Sequence, residues 1–341
     1  MAKAASVRAA EDNPEGALEI TPEVAPKATP EATPEAAPTI VLVGGLSVLP
    51  REWKPLLDRL SGKRRTVIVP RSVLTGIPNP APADRDQEAA NGTEIPQVPK
   101  QRADWEQEIE AIRRVMAAEV EKGGPVTLVG HSTGSLLAEG AARLYPELVG
   151  RLVMIDGTIP LGVRRGAYTQ LPVSEALAKG TSKVLVLAAK VATSKPLRPL
   201  FAQVLRIATL TRGHHGQEAK ELAAALSHPE VAMQAAEEFF SDTIWAVRLS
   251  QLQERPLPAR VEPIIAIGSS IPIGLVQRWW SAWWRDRAKA LRQQSVDQPG
   301  PDSLVVVHGL PRSTHMVMLS RPSQLGRILR RPPKGPAQDL G

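Results

Sequence analysis

Short, unbroken apolar runs recur along the chain, each bounded by glycine, proline or polar residues. Thr39-Ile-Val-Leu-Val43, Thr66-Val-Ile-Val69, Val126-Thr-Leu-Val129, Leu152-Val-Met-Ile155, Pro263-Ile-Ile-Ala-Ile267 and Leu304-Val-Val-Val307 are the clearest. Runs this short, without alternation of apolar and polar positions, predict strands buried on both faces. Between them the period lengthens. Pro50 to Leu60 fits a helix with proline near its start. Asp104 offers an N-cap to a helix reaching about Val120, whose Trp105, Ile109, Ile112, Val115 and Met116 fall at helical spacing. A small-residue helix follows residue 134 and ends near Tyr145-Pro146, and another covers roughly 275–293. Strands alternating with helices predict an α/β fold, a mostly parallel central sheet flanked by helices.

Four stretches fall outside that alternation. Residues 160–260 lack strands and read as Ala/Leu/Glu-rich helices, a helical cap inserted into a core made of 39–159 and 261–330. Residues 71–100 are rich in Pro, Asn, Asp and Gly and predict a long surface loop. Residues 1–38 place proline every three or four positions over 25–38, which forbids both helix and ladder and predicts a disordered, semi-extended tail. Residues 331–341 read as a C-terminal tail.

Composition narrows the classes. With 341 residues, 43% of them apolar and 23% charged, the chain has enough material for a sizeable core. No run of 18 or more apolar residues predicts a membrane span, and the first residues lack a secretory signal, so a cytoplasmic location is the default expectation. The absence of cysteine excludes disulfides and thiolate chemistry. The net charge is +7, but residues 1–38 hold seven carboxylates against three cations, so the remainder carries +11. A basic body attracts anionic surfaces or substrates. No nucleic-acid motif accompanies it, so no nucleic-acid partner is expected and a soluble, Arg-rich surface is the reading.

The chemistry concentrates in Gly130-His131-Ser132-Thr133-Gly134, a G-x-S-x-G match between a predicted strand and a predicted helix. A serine on such a turn is held in strained backbone geometry, which flanking glycines permit, and the helix N-terminus favours developing negative charge beside it. Ser132 is therefore the candidate nucleophile. An oxyanion hole needs two N–H donors. Thr133 supplies one, and Leu46, in Gly44-Gly45-Leu46-Ser47 after the first strand, supplies the other. Of six histidines, His315 follows the last strand after a short loop and is the candidate base. His308 ends that strand and reads as a core or supporting residue. His214 and His215 are adjacent and make a poor metal site.

This order of motifs (strand-Gly-Gly-Leu, Gly-His-Ser-Thr-Gly, a helical insert, a late Thr-His-Met-Val-Met) resembles the α/β-hydrolase superfamily over about residues 39–330. The resemblance implies acyl transfer through a serine ester, with a triad ordered Ser, acid, His and no cofactor or metal. It departs from the family where the acid usually stands, because Gly268-Ser269-Ser270-Ile271-Pro272 has no carboxylate. Some members carry the acid one strand earlier, which makes Asp156 in Met-Ile-Asp-Gly-Thr the candidate. A Ser-His dyad, or an acid from Asp297 or Asp302, stays open. The usual Asp-x-x-Gly-x-Gly turn after the second strand is replaced by Pro70-Arg71-Ser72.

The insert's apolar residues over 172–240, with Phe239, Phe240 and Trp245, suggest either a pocket for an apolar ester or the insert's own core. Trp279, Trp280, Trp283 and Trp284 share one broad helix face beside Arg285, Arg287, Lys289 and Arg292. That face packs on the sheet, or makes a weak contact with a membrane surface. The expected activity is hydrolysis of a small-molecule carboxylic ester. A non-catalytic binding protein on this fold and a peripheral membrane lipase or acyltransferase are the rivals, and the sequence leaves oligomeric state open.

Overall fold

The computed structural model describes residues 37–46, 48–71, 104–158, 184, 186–211, 216–267, 273–297 and 304–331. In chain order the strands are β1 (Ile40–Val43), β2 (Thr66–Ile68), β3 (Val126–His131), β4 (Val149–Ile155), β5 (Arg260–Ile267), β6 (Leu304–Val305) and β7 (His308–Pro311). The helices are α1 (Lys54–Leu60), α2 (Trp105–Gly123), α3 (Gly134–Leu144), α4 (Arg198–Thr211), α5 (Gly216–Leu226), α6 (Pro229–Ser250), α7 (Ile273–Asp297), α8 (Val317–Ser320) and α9 (Pro322–Arg330).

The strands form one sheet in the order β2-β1-β3-β4-β5-β6, with β7 also on β5, and every pairing is parallel. The chain runs outward from β1 to β2, then resumes at β3 on the other side of β1. Such a reversal opens a crevice beyond the carboxyl ends of the two central strands, where ligands of open α/β sheets bind. The loops after β1 and β3 flank that crevice.

Alternating strand residues face two apolar layers. Val41, Val43, Leu128, Leu152 and Met154 join a cluster with α2, α3, α7 and the second half of α6. Ile40, Leu42, Val129, Val153 and Ile155 join another with α1, α8 and α9. Trp105, Ile109, Ile112 and Met116 of α2 are buried at the spacing their sequence predicts, and Val115 is half-buried against the same cluster. Asp104 occupies the N-cap position in extended conformation but makes no side-chain capping bond.

The final predicted strand is interrupted. Pairing with β5 stops after Val305 and resumes at His308, in the same register. Val306 N–H still reaches Val261 O at 2.9 Å. The next position of β5 facing that side is Pro263, which has no N–H to return to the neighbouring strand. His308 therefore begins β7 rather than ending a longer strand.

Between β4 and β5 the described residues are helical or in short turns. Leu222 and Leu226 of α5 and Val231 of α6 cluster with Leu49 after β1, and Leu205 of α4 packs on them. Trp245, Ala246 and Leu249 of α6, by contrast, are buried in the main core. The end of α6 is thus part of the body rather than of a separate cap. Apart from residues 37, 38 and 71, the expected N-terminal tail and the loop at 71–100 lie outside the described residues, as does 332–341.

Buried ion pairs fasten the layers. Arg143 of α3 and Arg287 of α7 both donate to Glu139 of α3, at 2.8 Å for Arg143 Nη2. Burial opposes the Glu139 charge, yet the two guanidinium groups outweigh it and hold the carboxyl below its ordinary range. Arg151 of β4 grips Glu262 of β5 at 2.8 and 2.6 Å and donates to Ile328 O and Arg331 O, satisfying carbonyls at the end of α9.

Candidate active site

β3 ends at His131, and the next residue turns sharply. Ser132 has φ 53°, a left-handed conformation that few non-glycine residues adopt. Its N–H donates to Ile155 O at 3.1 Å, and its carbonyl accepts from Ser135 N–H at 2.9 Å as α3 begins. The turn closes only because its neighbours lack side chains. A Cβ on Gly45 would lie 2.5 Å from Ser132 Cβ, and one on Gly134 would lie 2.6 Å from Gly44 O. Those two glycines let the loop after β1 press against the serine, whose residue retains 9% exposure.

Asp156 makes the second left-handed turn, φ 40°, directly after β4. Its N–H donates to Ile264 O at 2.7 Å, and Oδ1 accepts from Ala266 N–H at 3.1 Å. One carboxylate oxygen is thus occupied by β5, and the other is aimed elsewhere. The side chain is fully buried.

His315 arrives on the loop after β7. Ser313 exchanges hydrogen bonds with Ile267 at the end of β5, its N–H reaching Ile267 O at 3.3 Å and its hydroxyl accepting from Ile267 N–H at 3.1 Å. Thr314 N–H donates to Ser320 Oγ at 3.1 Å, and His131 Nε2 donates to the His315 carbonyl at 2.9 Å. The imidazole lies edge-to-face with Trp280, with ring centroids 5.4 Å apart.

So held, His315 Nδ1 is 2.7 Å from Asp156 Oδ2, and Nε2 is 3.0 Å from Ser132 Oγ. A carboxylate only accepts, so Nδ1 carries the proton and Nε2 presents its lone pair to the serine hydroxyl. Ser132, His315 and Asp156 are therefore brought together in one hydrogen-bonded row. The carboxylate that meets His315 is that of Asp156. Asp297 instead accepts from Gln293 on exposed α7 surface, while Asp302 and the turn at 268–272 lie outside the described residues.

The two expected oxyanion donors are also adjacent, in an arrangement the sequence does not reveal. Leu46 N–H points at Thr133 Oγ1, 3.3 Å away, so the threonine hydroxyl bridges the two loops. Thr133 itself stands at the N-terminus of α3, where unpaired N–H groups and the helix dipole favour an anion.

The other histidines the sequence singled out stand apart from this row. His308 Nε2 pairs with Glu262 at 2.8 Å, near the start of β5 rather than at the serine. His214 and His215 lie outside the described residues. The tryptophan helix packs inward. Trp283 and Trp284 are buried, and both Trp280 and Trp284 donate their indole N–H to Gly157 O, fixing the turn after Asp156. Burial of Trp283 and Trp284 removes them from the suggested membrane face. The side chain of Trp279 lies outside the described residues.

The residues that sequence reasoning missed are those that position others: His131, Trp280, Ser313 and Ser320. His131 stood inside the recognised motif, which was a signal. For the rest, the signal is a tertiary register that no local pattern carries.

The model of the alpha/beta hydrolase family matches residues 40–327. Among solved structures, the chain is similar to wild-type Cfl2 from Burkholderia cenocepacia, with 20% identity, TM-score 0.52, and 86% of this chain and 87% of that one covered. It is similar also to a probable hydrolytic enzyme from Pseudomonas aeruginosa PAO1, with 15% identity, TM-score 0.53, and 87% and 86% covered. MenH from S. aureus matches at 12% identity and TM-score 0.53, over 88% of this chain and 94% of its own. At these identities the likeness is one of fold. No curated protein matches.

Proposed function

The chain belongs to the alpha/beta hydrolase family, and on that footing we propose that it is a serine hydrolase of carboxylic esters, with Ser132, His315 and Asp156 as its triad. The observation that carries the reading is the row Ser132 Oγ–His315–Asp156, with contacts of 3.0 and 2.7 Å and the serine on a left-handed turn.

In this reading Ser132 Oγ adds to the ester carbonyl carbon while His315 Nε2 takes the hydroxyl proton. The imidazolium that forms is stabilised by the carboxylate of Asp156. The carbonyl oxygen becomes an oxyanion and meets Thr133 N–H and Leu46 N–H, the latter exchanging the Thr133 hydroxyl for the anion. Each such donor contributes about 2.7–4 kcal/mol to lowering the barrier. Collapse of the tetrahedral adduct breaks the ester C–O bond, and the leaving alcohol departs with the proton from Nε2. Water, deprotonated by the same nitrogen, then attacks the acyl-enzyme, and the acid is released as Ser132 regains its proton.

The half-exposed imidazole, 30% accessible, leaves room for an alcohol and then water to approach Nε2. Leu222, Leu226 and Val231 of the insert pack on Leu49 in the loop after β1, and this apolar neighbour of the crevice supports a substrate with an apolar acyl or alcohol part. The test is labelling with a fluorophosphonate probe together with turnover of short p-nitrophenyl esters. Both are expected in the wild type and lost in Ser132→Ala. A folded wild type that neither labels nor turns over would leave the binding-protein reading in its place.

A further inference from the structure

Isolated apolar side chains on a protein surface need no explanation, but a dense group in one short segment does. Among the described residues nine large apolar side chains are exposed, and six of them fall within 21 positions of the insert. They are Val184, Leu187, Val191, Leu197, Leu200 and Val204, from 42% to 66% accessible. Val184, Leu187 and Val191 follow one another at i, i+3 and i+7, with Ala188 also exposed. Leu200 and Val204 stand at i and i+4 on α4. These are the spacings of single helix faces. Leu205 of α4 meets the cluster around Leu222 and Leu49, so the apolar stripe turned to water is additional to the one that holds the helix.

Charge selects among the surfaces that could cover this stripe. Residues 176–217 contain no Asp or Glu, although carboxylates occur about once every ten residues over the whole chain. Lys190 and Lys195 are exposed within the patch, and Arg198 and Arg206 are half-buried beside it. A second copy docked through this segment would set cations against another basic surface, since a two-fold contact uses the same patch twice, and the segment holds no carboxylate to answer them. A bilayer with anionic headgroups meets both properties, apolar side chains entering the interface and ammonium groups lying among the phosphates. No described helix is long and apolar enough to cross a membrane.

We propose that the face spanning Val184 to Val204, with Lys190 and Lys195, docks this protein on anionic lipid bilayers. The contact owes nothing to the tryptophans of α7, and it stands whether or not the serine row hydrolyses esters.

The test is flotation of the full-length protein with phosphatidylcholine vesicles, with and without phosphatidylglycerol, at low and high salt. Association with the phosphatidylglycerol vesicles is expected at low salt, weakened by salt, and much weaker on phosphatidylcholine alone. The double variant Leu187→Gln/Leu200→Gln changes only exposed positions, so its thermal unfolding is expected to match wild type while flotation is lost. Lys190→Gln/Lys195→Gln removes two cations, each contributing about fivefold, for a loss of about 25-fold in partition. Absence of wild-type flotation at low salt, or undiminished flotation of the leucine variant, would overturn the proposal. So would light scattering that shows a dimer dissolved by Leu200→Gln, which would give the face to a second copy.

Discussion

The carboxylate of Asp156 reaches Nδ1 of His315, 159 positions further along the chain, at 2.7 Å, and its other oxygen is held by Ala266 N–H. One side chain therefore orients the imidazole while being oriented by the neighbouring strand. Asp156→Asn keeps the shape but replaces an acceptor-only group with an amide that stabilises neither the Nδ1–H tautomer nor the imidazolium. The expected loss in kcat is on the order of 10⁴, with KM nearly unchanged, measured on a p-nitrophenyl ester. A variant retaining wild-type turnover would remove Asp156 from the triad.

His131 ties His315 to the strand that leads into Ser132. Its Nε2 donates to the His315 carbonyl, and its ring packs between Trp53 and His315. His131→Phe preserves an aromatic ring and deletes the donor, leaving that carbonyl without this partner. Chemical denaturation should show a loss of about 1–3 kcal/mol. Steady-state kinetics should show kcat falling ten- to a hundredfold, about the effect expected when a catalytic group shifts by an ångström.

Gly45 touches the serine from the opposite loop. Gly45→Ala would bring its Cβ to 2.5 Å from Ser132 Cβ and 2.9 Å from His131 O, so backbone on one side must move. Fluorophosphonate labelling should slow by about a hundredfold or more, since both Ser132 and the Leu46 N–H are displaced together. The fold should survive, with destabilisation of about 1–3 kcal/mol from overpacking.

Acid stability should depend on Glu262 of β5, which makes no contact with Ser132 or His315 among the hydrogen bonds described. Burial opposes the Glu262 charge, but hydrogen bonds from His308 and Arg151 outweigh it and hold the carboxyl at about 2. The folded value lies below that of the unfolded chain, so the ionised form favours folding. Its contribution is full above about pH 4.5 and disappears as the pH falls toward 2, amounting to about 3 kcal/mol. Glu119, also held at about 2, acts in the same direction. Unfolding followed across this range should lose part of its acid limb in Glu262→Gln, and that variant should also be less stable at neutral pH, where Arg151 and Arg260 lose their partner.

Most of the sheet was legible because its strands are continuous apolar runs, a signal that survives without knowledge of neighbours. The serine turn was legible for a similar reason: glycine, serine and glycine at fixed spacing between two elements are a local requirement of backbone shape. What escaped depends on contacts between distant segments. Pro263 breaks the ladder of the strand beside it, not its own. The packing of the tryptophan face on the sheet was one of the two readings the sequence allowed; which tryptophans it buries, Trp283 and Trp284, depends on how α7 lies against β5 and β6. The bond from Leu46 N–H to Thr133 Oγ1 joins two loops 87 residues apart. Choosing Asp156 from the resemblance left rivals standing, since the acid's place in sequence varies within the superfamily.

Ser132, Asp156 and His315 each sit just beyond the end of a strand, and none stands on the described helices α4, α5 and α6 between β4 and β5. Such a layout separates the blade from the handle. If the row is catalytic and the helices select and dock as proposed, exchange of those helices would alter what is admitted and where the molecule works while the cutting edge stays as it is, so the two traits would be free to evolve at different speeds.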